Sequence, residues 1–143
     1  MLAGYRDAHD VADALFAEEP LIETKIRRTL LCDSREARRA LIEVVRFMSL
    51  VADKTGEPLT PSHRVDLAWH ELILFTRTYE QLCHASFGKF VHHQPGGTLQ
   101  VNRSQFLKTL QVYENVFGPP PKEFWGASDE LTATCGTCES EGD

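Results

Sequence analysis

The sequence predicts an all-α protein: a single-domain bundle of four to five helices with an irregular loop after the central helix and a disordered C-terminal tail. Apolar residues recur at three- and four-residue spacing through successive segments, and Gly or Pro falls at most of the junctions. No alternating run is long enough to compete as a strand. The helical domain is expected over 1–126, and 127–143 is expected to be a mobile acidic tail.

The first helix is expected over 7–18, where Ala8, Val11, Ala14 and Leu15 share one face and Pro20 ends the run. Ile22, Ile26 and Leu30 continue the pattern. Asp33 or Ser34 can cap a fresh start, so residues 21–53 are either one bent helix or two. In the latter part Ala37, Leu41, Val44, Val45 and Met48 form a stripe that Gly56 and Pro58 terminate. Arg35, Arg38 and Arg39 lie opposite that stripe, as a solvated face or an anion-binding edge. A last amphipathic helix contains Phe106, Leu107, Leu110, Tyr113, Val116 and Phe117, is capped by Asn102 or Ser104, and stops at Gly118 and Pro119. The prolines 119 to 121 lead to Phe124 and Trp125, expected to fold back onto the bundle as a clasp or, in the alternative, to serve as a recognition segment for a partner domain.

Residues 61–93 are the most informative stretch, holding His63, His70, His84, His92 and His93 together with Cys83 and Trp69. One long helix is expected from Pro61, with Thr60 as N-cap. At ~100° per residue, Val65, Ala68, Trp69, Leu72, Phe75, Tyr79, Leu82 and Cys83 form a broad apolar side. Beside it His63, Asp66 and His70 occupy an arc of ~60° and can face one ligand together.

With 143 residues, 42% hydrophobic and 25% charged, the chain fits one domain with a real core. A net charge of −6 argues against nucleic acid, because neutralising phosphates needs clustered Lys and Arg. The sequence contains neither a signal-type apolar run near the start nor a membrane-span stretch. The expectation is a soluble cytoplasmic protein without a membrane partner, monomeric or weakly dimeric, with an unidentified protein partner open. Its four cysteines, Cys32, Cys83, Cys135 and Cys138, are then expected to stay reduced, Cys32 as a small buried thiol.

Histidine, carboxylate and thiolate are zinc ligands, and zinc takes three or four at one point. On an unbroken helix Cys83 stands ~20 Å along the axis from His70, which precludes sharing. Two clusters follow: His63, Asp66 and His70 on the helix edge, and Cys83 or His84 with His92 or His93 brought back by a turn at Gly88. For each the alternative is structural, an Asp-His hydrogen-bond network or exposed loop histidines. Cys135-Gly136-Thr137-Cys138 is a half-site for metal, a thiol handle read or modified by a partner, or an inert end. GxSxG, GxxxxGK, HExxH and strand-linked GxGxxG signatures are absent from the sequence. The expected function is a small zinc-binding or interaction module without turnover; the alternative is a small metalloenzyme or thiol-redox protein.

DLAWH, followed by Tyr79, Cys83, Gly88 and His92 and later by FGPPPKEFW, resembles the glycine-rich domain-containing protein-like family over about residues 59–125. The matched positions are Asp66, Trp69, His70, Tyr79, Cys83, Gly88 and His92, while Leu72 stands where many members carry a second histidine. The resemblance implies no particular chemistry.

Overall fold

A computed structural model describes residues 7–53, 58–94 and 96–126. Seven helices follow in order: α1 Ala8–Glu18, α2 Leu21–Leu30, α3 Ser34–Asp53, α4 His63–Ile73, α5 Thr76–Phe87, α6 Leu99–Phe117 and α7 Lys122–Trp125. Among the described residues there is no strand. The all-α expectation holds, and the helix count exceeds four to five because one expected helix is divided and a one-turn helix follows the prolines. None of the described helices is long and apolar enough to cross a membrane.

α3 is the hub of the bundle, packing against α1, α2, α4 and α6. Its N-terminus is fixed by Asp33, whose side chain accepts from the Glu36 N–H at 2.8 Å. Leu31, with φ 55, takes the left-handed conformation that separates α2 from α3. That settles the choice between one bent helix and two. Ala37, Leu41, Val44, Phe47 and Met48 are fully buried, each large one contributing roughly 1.5–3 kcal/mol through apolar burial. The core is therefore centred on α3. Trp69, Leu72 and Tyr79 pack into it as expected, whereas Phe75 is only half-buried.

Part of this core is polar. Glu43 on α3 is buried, and its Oε1 accepts from the Tyr113 hydroxyl at 2.6 Å and from Trp125 Nε1 at 2.9 Å. Arg46 donates to Glu43 Oε2 and to the Tyr113 oxygen. One carboxylate thus ties α3, α6 and α7 together, and burial is compensated by partners. Ser62 also reaches α7: its hydroxyl caps α4 by accepting from the Val65 N–H and donates to the Phe124 carbonyl at 2.6 Å. Phe124 and Trp125 are accordingly buried, which is the clasp expected of the segment after the prolines.

Two arginines of the basic face of α3 are used within the chain. Arg38 pairs with Asp13 through two nitrogens, at 2.7 and 3.1 Å, and Arg39 pairs with Glu123 while lying over the Phe124 ring. Cys32 is half-buried rather than buried, and partial burial still pushes its thiol up.

Three helix boundaries differ from expectation. Ser62, not Thr60, caps α4; Thr60 instead donates its N–H to Thr109 Oγ1 and its hydroxyl to Gln105, anchoring the segment to α6. α6 starts earlier, capped by Thr98 through the Val101 N–H; Leu99 and Val101 in its first turn are two residues apart and exposed, so they do not extend the apolar face of the helix. The expected central helix is broken at Leu74–Phe75, where Phe75 N–H bonds back to Leu72 rather than to residue 71. HELILFTRTYEQ contains neither Gly nor Pro, so packing rather than local propensity makes that break.

Candidate metal centre

The break between α4 and α5 builds the site. Ten residues of continuous helix would separate Trp69 and Tyr79 by about 15 Å along the axis. With the turn at Leu74–Phe75, Trp69 Nε1 donates to the Tyr79 hydroxyl at 3.1 Å. Tyr79 in turn donates to the Val91 carbonyl, and the Val91 N–H donates to Cys83 Sγ at 3.4 Å. Both polar groups of one buried loop residue are therefore held by side chains of α5.

Two glycines fix the ends of that loop. Gly88, with φ 73, closes α5 in the left-handed conformation through its N–H to the His84 carbonyl. Gly96 lies so close to α6 that an added Cβ would fall 2.4 Å from Asn102 Nδ2. Asn102 is buried there and its Oδ1 accepts from the Gly97 N–H at 2.9 Å.

Between these anchors burial alternates: Val91 is buried, His92 exposed and His93 half-buried. The His93 ring packs on Trp69, with centroids 4.5 Å apart, and points its Nε2 at α4. That nitrogen lies 2.8 Å from Asp66 Oδ1 and 2.9 Å from His70 Nε2. Asp66 Oδ2 stands 3.6 Å from His70 Nε2. Among the described residues, Asp66, His70 and His93 are the one group of three whose ligand atoms converge in this way, all within 4.8 Å.

This geometry asks more of His93 than one hydrogen bond provides. A ring nitrogen carries either one N–H or one lone pair in the ring plane. As a donor it must share a single hydrogen between Asp66 and His70; as an acceptor it faces a carboxylate oxygen. A cation among the three atoms would instead take a lone pair from each. Donor atoms around tetrahedral zinc, with arms of about 2.0–2.1 Å, stand about 3.3 Å apart. The two imidazole nitrogens stand 2.9 Å apart, and the carboxylate lies 2.8 Å from one of them through Oδ1 and 3.6 Å from the other through Oδ2, separations on that scale.

The expected clusters are redistributed. Asp66 and His70 meet, but His63 does not join them: seven residues of helix place it about 10 Å from His70 along the axis. Their third partner is His93, expected in the second cluster. Among the described residues that second cluster is not assembled. Cys83 is fully buried and engaged with Val91, His84 is exposed on α5, and His92 turns outward onto Phe90. Burial also pushes the Cys83 thiol up, with the Val91 N–H acting in the opposite direction, so it is a poor thiolate. Cys135 and Cys138 lie outside the described residues, as does the expected tail.

Asp66 and His93 also line a cavity of about 590 Å³ between α3, α4, the 89–97 loop and α6. His70 approaches the centre from the exposed side.

The family model described as UCP032817-like matches residues 15–113. The chain belongs to the UCP032817-like family. This corrects the resemblance to the glycine-rich domain-containing protein-like family, which the comparison does not indicate. Of the positions that suggested it, Trp69, Tyr79 and Cys83 are buried partners that hold the loop after α5, and Gly88 is a helix end. The UCP032817-like match extends from α1 into α6 and so includes Asp66, His70 and His93. No curated protein and no solved structure matches the chain.

Proposed function

We propose that this protein binds a divalent transition metal, zinc above all, through Asp66, His70 and His93. The observation that carries this reading is the convergence of one carboxylate and two imidazole nitrogens on a single point. Two histidines and one carboxylate suit zinc, and three protein ligands leave a coordination position for water or a ligand. The Trp69–Tyr79–Val91 chain would orient His93, as outer partners orient metal-bound histidines.

Binding without turnover fits best. Asp66 is the only carboxylate among the described residues lining the adjoining cavity, and as a ligand it is not available as a general base. In the competing structural reading, Asp66 and His93 only tie the loop to α4.

Thermal and urea unfolding with and without zinc separate the two. A metal site gains roughly 2.7 kcal/mol at a hundredfold excess of zinc over Kd. That gain should vanish in Asp66→Asn and in His70→Ala. Zinc-independent stability in the unsubstituted protein would eliminate the metal reading and leave the structural tie.

A further inference from the structure

The cavity beside the centre has a chemical character of its own. Its volume, about 590 Å³, is that of a small-molecule pocket. Val51, Ala52, Leu59 and Val101 supply apolar wall, and Trp69 and Phe90 supply aromatic wall. Two of its polar groups are already engaged, Asn102 Oδ1 with the Gly97 N–H and Gln105 Oε1 with the Thr60 hydroxyl. Lys89 is the one Lys or Arg among the described lining residues.

Resting on the metal reading above, the charges there are complementary to an anion. A divalent ion held by one carboxylate and two neutral imidazoles keeps a net positive charge and an open position, and Lys89 adds a second positive group along the same cavity. We infer that the cavity takes a small monocarboxylate with an apolar body. Its carboxylate completes the coordination at Asp66, His70 and His93, and its chain lies against Leu59, Phe90 and Val101. No bond is made or broken in the ligand; the proposal is one of recognition.

The test uses the full chain loaded with cobalt(II), whose d–d absorption reports changes in coordination, titrated with octanoate and with acetate. Octanoate should shift the bands. Acetate should bind roughly tenfold or more weakly, because each methylene moved from water to an apolar wall contributes about a fourfold gain in affinity. Lys89→Gln should weaken octanoate roughly threefold while leaving the ligand-free cobalt spectrum unchanged. Val101→Asp should weaken octanoate more than acetate at undiminished cobalt uptake. Cobalt-loaded protein whose bands ignore octanoate, or which binds both carboxylates equally, overturns the ligand proposal and leaves the metal centre standing. Failure to take up cobalt overturns the metal reading and this proposal with it.

Discussion

Trp69 and Tyr79, ten residues apart and on different helices, are joined by an indole N–H to phenol oxygen hydrogen bond of 3.1 Å, and the same phenol donates to the carbonyl of Val91. This contact couples the break in the α4–α5 segment to the position of His93. Tyr79→Phe keeps the ring but leaves the Trp69 N–H and the Val91 carbonyl without that partner. It should cost about 1–3 kcal/mol in urea unfolding of the metal-free protein, and should weaken zinc roughly tenfold or more. A variant with unchanged stability and unchanged zinc affinity would show that the phenol does not hold the loop.

Core truncation gives a second expectation. Trp69 is 4% exposed and meets Phe47 edge-on, with centroids 5.3 Å apart. Trp69→Ala should cost about 3–5 kcal/mol. A loss below about 1 kcal/mol, the scale of a surface change, would contradict its place in the core.

Glu43 supports a third. Glu43→Ala removes the acceptor of Tyr113 and Trp125 and one of the partners of Arg46. Leaving two buried donors without an acceptor should cost about 2–5 kcal/mol, accompanied by a red-shifted Trp125 emission as α7 loosens. Unshifted emission together with full stability would mean that the clasp does not depend on this carboxylate.

The buried thiol predicts how stability varies with pH. Cys83 ordinarily titrates at 9.0, and burial raises it in the folded chain. Its contribution is fully present below pH 9.0 and is lost as pH rises through the raised folded value, because there the unfolded chain has released a proton that the folded chain retains. Tyr79, also raised by burial, acts in the same direction above its ordinary 10.0. Unfolding free energy of metal-free protein should therefore decline from about pH 9 upward, and less steeply in Cys83→Ala. Equal slopes would show that the thiol is not the titrating group.

The helical class was legible because α1, α2 and α3 each present a regular apolar face and because Asp33 is a good cap. The break at Leu74–Phe75 was not, since no residue there opposes a helix and the contact of Tyr79 with Trp69 that accompanies the turn is a tertiary one. Two of the three residues of the candidate site were legible from helical periodicity. Asp66 and His70 are four residues apart on one helix, a relation that sequence spacing states directly. His93 meets them across a loop whose path depends on Tyr79, Cys83 and the close approach of Gly96 to Asn102. Spacing gives no means of choosing His93 over His92, because the choice follows from Val91 being pinned inward.

That choice is the most direct test of the account. Zinc per chain should be measured by elemental analysis on untagged protein, loaded and then desalted, for the unsubstituted chain, His92→Ala and His93→Ala. About one zinc per chain is expected in the unsubstituted protein and in His92→Ala, and loss is expected in His93→Ala. Stoichiometric zinc retained by His93→Ala, or no zinc in the unsubstituted chain, would contradict a centre built from Asp66, His70 and His93.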